Sequence, residues 1–462
     1  MQPTPISSLT SESTSPERAE RDAGAPRRRS PGAVLISTSL GTLLVILLTS
    51  GLNIALPSIR TSLAAGETAV GWVLSGYTLA FAMLALAGGA LSDRFGAHRI
   101  FITGLGVFTA ASLLAACAPH VALLVLGTFG QGAGAALVLP SALSLIQFVY
   151  QDVPERLPWA IGMWAGANAL GAALGPVVCG AVVSALSWRA MFVLVAVLAV
   201  AFALAGWAYL PRLRGQGARI DMPGLLVMVV LLGVIAFLAH EWSVLPGYAI
   251  AAGLVVAVVA VWLFQRVERR SAAPMLPLSQ LRDFAFSANA VVTVVGTGAF
   301  FGALYVISLA LQDRLGMSAL TAGLALLPLA CGNIIAALAA GRFISRFGIR
   351  AVMIGGSVIM VAALVPMPLL FDDYALLVAP LVVLGIGWGL LVPTTSAAGL
   401  ARAQEGKEGV ASGVTAGGRE LGAALAAALV LPLGVTSGIW TAAAVGLGSL
   451  LVVALGIRHV DR

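Results

Sequence analysis

The chain has 462 residues, of which 26 are Lys or Arg and 19 are Asp or Glu, so that only 10% carry charge while 60% are hydrophobic. A soluble domain carries about 25% charged residues, and nine of these charges fall within the first thirty positions, which leaves the rest of the chain too thin a polar shell to screen its apolar side chains from water. These proportions exclude a water-soluble enzyme or binding module, and the distribution of the +7 net charge points to a membrane rather than to nucleic acid.

Residues 1–31, rich in Ser, Thr, Pro, Glu and Arg, read as a disordered cytoplasmic tail that lacks the short apolar core of a cleavable signal. Arg27, Arg28 and Arg29 precede the first apolar stretch and hold that end inside, next to anionic lipid. Stretches free of Asp, Glu, Lys and Arg then follow at 30–59, 68–92, 100–151, 157–188, 190–211, 222–240, 242–265, 284–312, 315–341, 351–371, 374–401 and 421–457. The shortest of them, as a helix, rises about 28 Å, close to the ~30 Å hydrocarbon core. The stretch 100–151 is too long for one crossing and breaks at Pro119-His120. The last stretch breaks near Gly434 to Gly438, and its first part joins 409–420 in a helix carrying Arg419 and Glu420. Twelve stretches thus predict fourteen spans.

With fourteen spans and both termini on one side, that side collects 22 basic residues and the other only Arg60, Arg189 and Arg314. Such a bias marks the rich side as cytoplasmic. Reading 222–265 as one span would carry every later loop across the membrane and destroy it. Cys117, Cys179 and Cys331 lie in apolar stretches without metal-ligand spacing, so neither a disulfide framework nor a zinc site is expected, and no cofactor motif is read. No G-x-x-x-x-G-K loop is present, so this chain's own ATP hydrolysis does not drive it.

The loop after the second span reads Leu91-Ser92-Asp93-Arg94-Phe95-Gly96-Ala97-His98-Arg99, and the one after the tenth reads Phe343-Ile344-Ser345-Arg346-Phe347-Gly348-Ile349-Arg350. The shared Arg-Phe-Gly recurs at an offset of 346 − 94 = 252 residues. If the seventh and eighth spans are an inserted pair, each copy lies between the second and third helix of a six-helix half. Parallel repeats of this kind describe a transporter whose halves rock around a site near the bilayer midplane. The domains are then an N-terminal bundle at 32–211, a linker with the inserted pair at 212–283, a C-terminal bundle at 284–457 and a cytoplasmic tail at 458–462.

Gly89-Ala90-Leu91-Ser92-Asp93-Arg94-Phe95-Gly96 resembles the loop signature G-x-L-x-D-R-x-G of the major facilitator superfamily. Gln131-Gly132-Ala133-Gly134-Ala135-Ala136 is similar to its fourth-helix signature, and Gly171-Ala172-Ala173-Leu174-Gly175-Pro176-Val177-Val178-Cys179-Gly180 to its antiporter signature. The first span ends Leu52-Asn53-Ile54-Ala55-Leu56-Pro57, like that of the fourteen-helix drug:proton antiporters. The resemblance implies an all-α membrane protein of the MFS fold, two six-helix bundles plus an inserted pair, monomeric in the cell membrane. It implies exchange of small hydrophobic or amphipathic compounds, such as drugs and antibiotics, for protons.

The same resemblance implies roles for named residues. Gly89, Asp93, Arg94, Gly96 and Arg99 match a gating loop that contacts the helix beginning near Lys407-Glu408-Gly409. Asp93, facing the positive end of that helix, is expected to latch the outward-facing state. A solvated loop that fixes topology is the alternative, and Arg94 and Arg99 read as inside-loop anchors with a shared gating role. Ser345 replaces Asp93 in the second copy, which should therefore latch weakly or not at all. Gly171, Gly175, Pro176 and Gly180 imply a seal between the halves, although small residues also simply pack helices closely. Gly409, Gly413 and Gly417 read as packing. Mid-span polar and aromatic residues are costly enough to suggest a substrate cavity: Asn53, Tyr77, Gln131, Trp164, Asn168, Tyr305, Asn333 and Trp388. Interhelical hydrogen bonding is an equal alternative for them, and packing the first reading for Tyr77 and Trp388.

Two positions depart from the family pattern. Leu48 stands where the first helix usually has an Asp, and Thr128 where the fourth usually has an Arg. Glu420 is then the carboxylate left inside a span, as a proton carrier with Arg419 beside it or as part of a structural ion pair or helix end. His240 and Glu241, at the outer end of the inserted pair, read as loop residues. The competing functions are an uncoupled metabolite facilitator or importer and a multispanning enzyme. Four His residues and short loops disfavour the enzyme.

Overall fold

In hydrocarbon every backbone N–H and C=O must find its partner within the chain, and these residues meet that demand by helix alone. The computed structural model describes residues 30–213, 215, 222–241, 245–271, 283–317, 319–403, 408–430 and 434–456. Apart from positions 30 and 31, the expected tails lie outside them. Among the described residues there are fourteen α-helices and no strand: α1 (Pro31–Ser62), α2 (Glu67–Phe95), α3 (Ala97–Ala116), α4 (Val121–Tyr150), α5 (Leu157–Ala185), α6 (Trp188–Tyr209), α7 (Met222–Glu241), α8 (Gly247–Glu268), α9 (Phe284–Asp313), the short α10 (Ala319–Ala325), α11 (Leu327–Leu364), α12 (Tyr374–Ala401), α13 (Glu408–Val430) and α14 (Gly434–Gly456). Eleven stretches are long and apolar enough to cross a membrane, and the longest, Thr321–Leu369, has 49 residues, about twice what one crossing needs.

The sequence-predicted breaks fall between helices. Pro119 and His120 separate α3 from α4, where His120 Nδ1 accepts the Leu123 N–H at 3.2 Å. The stretch 222–265 forms two helices, α7 and α8. Two expectations need correction. The signature Leu52 to Pro57 does not end the first helix, which continues through Pro57 to Ser62. Nor are the Arg-Phe-Gly segments loops. Helix α2 runs through Asp93 and Arg94 to Phe95, a single residue, Gly96, turns the chain, and α3 starts at Ala97. In the second copy α11 passes its turn at Gly348. Gly96 (φ 93°, ψ 127°) and Gly348 (φ 82°, ψ 160°) share a conformation open only to glycine, which lets one residue reverse a helix where a longer loop was expected. Their separation, 348 − 96 = 252, is the offset of the repeat.

Apolar packing divides along the same line. One core gathers side chains from α1 to α6, including Leu48, Phe101, Phe108, Trp188 and Phe192, and draws in Ala416 of α13. A second gathers α9 to α14 around Phe300, Met360, Phe371 and Trp388. A third joins the sets, with Tyr150, Ile161 and Trp164 against Ala337, Ile344 and Leu390. In the fourth, Leu225 of α7 and Phe264 of α8 pack onto Leu86 and Ala90 of α2 and Val410 of α13. The helices inserted between the repeats thus lie against the seam between them.

Candidate functional site

Two helix crossings close the seam at the end of the molecule where α2 turns into α3. At the first, α2 meets the start of α13. A methyl group on Gly89 would overlap the Gly409 carbonyl oxygen, and one on Gly409 the Gly89 carbonyl oxygen, so only glycine permits this approach. Gly413 continues the contact against Ala85, with Gly417 beside it. The closeness puts the Asp93 carboxylate at the first turn of α13. Its Oδ1 accepts the Gly409 N–H at 2.7 Å and its Oδ2 the Val410 N–H at 3.0 Å. The first N–H groups of a helix have no intrahelical partner and carry its positive end, so one carboxylate satisfies two donors across 316 residues of chain.

The segment after α6 braces this junction. Leu213 donates its N–H to His98 Nδ1 at 3.1 Å, and its carbonyl lies against Gly96, where any side chain would collide. Arg94 lies over the Phe95 ring, 5.1 Å from its centroid, and Arg99 is exposed.

At the second crossing α5 meets α11. A methyl on Gly341 would stand 2.5 Å from the Trp159 Cα and 2.6 Å from the Pro158 oxygen, and Gly162 and Gly166 face Ala337 and Leu338. Farther along α5, away from that end, Leu170 and Val177 are 40% and 51% exposed. On α11, Leu327 is 39% exposed and Cys331 is also exposed. The seam is closed at one end and loosens toward the other.

The antiporter glycines lie elsewhere. Gly171 abuts the Leu43 oxygen, Gly175 the Ser50 and Leu47 oxygens, and Gly51 reaches Cys179, all within the α1–α5 contact. Gly171 and Gly175 thus pack inside the first set of helices, the alternative weighed for them. Gly180 touches only Ile54, and Pro176 is half-buried. The α5 glycines that meet α11, Gly162 and Gly166, belong to no signature. Their four-residue spacing was the one available signal.

The polar candidates separate into groups. Gln131 is fully buried and donates to Ser112 Oγ at 2.8 Å, tying α4 to α3. Tyr77 is buried, stacks with Phe81 and sits beside Thr49 of α1. Trp388 lies flat on Phe300, ring centroids 4.4 Å apart and 7° from parallel, with Phe301 at 6.0 Å. Tyr305 is half-buried and 6.3 Å from Phe301, and half-buried Asn333 brings its backbone against Gly385 and Gly389 of α12. On α5, Trp164 Nε1 and Asn168 Oδ1, one turn apart, are buried without a hydrogen-bond partner among the described residues. The side chains of Asn53, His240 and Glu241 lie outside the described residues.

Glu420 and Arg419 lie about midway along the 23-residue α13, not at its end. Among the described residues the two charges lie within electrostatic reach of each other but form no close ion pair. Arg419 Nη1 instead donates to Ser396 Oγ of α12 at 3.1 Å. Glu420 stands within electrostatic reach of Tyr77 on α2 and Tyr305 on α9. Leu48 is fully buried, and buried Thr128 donates to its own helix at Val125.

Known proteins share this chain's pattern. The Major Facilitator Superfamily profile matches residues 38–225 and 217–427. The methylenomycin A resistance protein of Bacillus subtilis is 31% identical over 89% of this chain and 89% of its own. The multidrug efflux pump LfrA of Mycolicibacterium smegmatis is 33% identical over 84% of this chain and 78% of its own. The crystal structure of the human organic anion transporter MFSD10 (TETRAN) superposes with a TM-score of 0.70 at 16% identity, covering 93% of this chain and all of that one, a likeness of fold.

Proposed function

Because the chain belongs to the Major Facilitator Superfamily and is a membrane transporter rather than an enzyme, we propose that it exports small hydrophobic or amphipathic compounds in exchange for protons, by alternating access. The resistance protein and the efflux pump among its relatives support the cargo and the direction. The observation that carries the mechanism is Asp93, whose carboxylate holds the start of α13 across the seam.

In this reading α1–α6 and α9–α14 are two rocking bundles and α7–α8 an inserted pair. The eleven long apolar stretches become fourteen spans once Thr321–Leu369 is divided at Gly348 and α7 and α13 are admitted. The basic end, with both termini, is cytoplasmic. Asp93 latches the outward-facing state, and opening toward the cytoplasm separates it from Gly409 and Val410. The cavity side chains are Trp164, Asn168, Tyr305, Asn333 and Trp388. Glu420 exchanges the proton, since a carboxylate inside a span is costly and marks a proton path. Protons enter and cargo leaves at one chamber.

A susceptibility panel in an efflux-deficient host, at two external pH values with and without a protonophore, tests this. Compounds should become less toxic, and the protonophore should abolish the protection. Protection that survives the protonophore favours an uncoupled facilitator, the reading that Leu48 and Thr128 support by removing two customary charges. Protection against nothing overturns export.

A further inference from the structure

The interior of α13 carries two opposite charges that lie within electrostatic reach of each other without sharing a hydrogen bond. Successive helix residues point about 100° apart. Arg419 accordingly turns to α12 and Glu420 toward α2 and α9. Among the described residues neither forms an ion pair. The Ser396 hydroxyl, which itself donates to the Val392 carbonyl at 3.0 Å, is the one hydrogen-bond partner of Arg419. A guanidinium has five N–H donors and stays charged, so its remaining donors are open to an acidic group. Intramembrane charges on this scale of cost are kept where they meet a ligand. Trp388, eight residues before Ser396 on α12, lies about 12 Å along that helix and stacks on Phe300, with Phe301 and Tyr305 beside it. Trp388 and Phe300 are packed in the core, and the half-buried Phe301 and Tyr305 are the aromatic faces left for an apolar body, whose orientation a few convergent polar groups would set.

Resting on the exporter reading, we propose that Arg419 and Glu420 together recognise an amphipathic zwitterion, the guanidinium binding its acidic group and the carboxylate its amine. The proton and the amine then compete for one carboxylate, which ties cargo release to proton uptake without a charge on α1 or α4. The acid end, held by Arg419, does not take part in that competition.

The test is transport by the full-length chain in proteoliposomes, under a pH gradient, of four compounds with one body: naphthylalanine, its methyl ester, its N-acetyl derivative and the N-acetyl methyl ester. The zwitterion should move about tenfold faster than either singly blocked form, the scale of one charge-assisted hydrogen bond. Arg419→Gln should erase the penalty for esterification. Glu420→Gln, which also removes the proton site, should slow gradient-driven transport of all four compounds and, in counterflow without a pH gradient, erase the penalty for acetylation. Arg419→Lys keeps the charge and should keep part of the acid preference. The wild-type ranking needs no variant, so a folding defect does not obscure it. Fastest movement of the doubly blocked compound, or an Arg419→Gln effect equal on all four, overturns the inference. If the susceptibility panel shows protection and none of the four moves, the inference alone fails. If neither assay shows transport, the exporter reading fails.

Discussion

The two crossings that close the seam are one structure built twice, with one difference. Shifted by 252 residues, Gly89 becomes Gly341, and Gly409 and Val410 fall on Leu157 and Pro158. In both crossings a glycine lets backbone touch backbone. At the first, Asp93 caps two free N–H groups. At the second, Ser345 turns back to the Gly341 carbonyl of its own helix at 2.9 Å, and Pro158 has no N–H to offer. Shape is thus duplicated and polarity is not. At the first crossing a carboxylate holds two N–H groups, whereas at the second, among the described residues, Ser345 makes no such bond across the contact. In the proposed mechanism the first would act as a latch and the second as a pivot.

The largest effect should come from Gly89→Val, which sets a branched side chain into the Gly409 carbonyl. Overpacking costs about 1–3 kcal/mol, so the α2–α13 crossing should open, transport should fall to background, and spin labels on the two helices should move apart. An unchanged label distance would count against the crossing as the closed gate. Asp93→Asn should come next. A hydrogen bond to a charged group is worth about 1.5–3 kcal/mol, so the population should shift at least about tenfold toward the cytoplasm-open state with the protein still folded. Wild-type transport in that variant would remove Asp93 from the mechanism. Ser345→Asp alone should change little, because it meets Pro158. Combined with Pro158→Ala it should create a second latch and slow transport several-fold, and equal behaviour of the single and double variants would refute the proline argument. Smallest of all, Ser345→Ala should leave transport within twofold in the same assay.

Much of this was legible in advance. The break between α7 and α8 was marked by Glu241, because a charge inside hydrocarbon is costly enough to punctuate the chain, and the break at Pro119-His120 followed from a charge-free stretch too long for one crossing. The meeting of Asp93 with the start of α13 came from the family resemblance, since no local pattern links residues 316 apart. The face of a glycine was not legible. Gly171 and Gly175 look inward to α1, while Gly162 and Gly166, four residues apart in the same way, look across to α11. Spacing states that a helix has a small-residue face but not which neighbour fills it. For Gln131, a polar side chain in mid-span signals only that some partner is needed, and the fold supplied Ser112.

By itself the sequence determined that this chain lives in a membrane, how its apolar stretches are divided, and that it repeats, because the transfer cost of charge and the fixed rise of a helix act residue by residue. Only the tertiary structure decided that a single glycine replaces each loop, that Arg419 donates to Ser396, and that Gly162 and Gly166 rather than Gly171 and Gly175 meet α11. Those outcomes depend on directions around each helix axis and on which backbone lies opposite, and both are set by how all the helices pack at once.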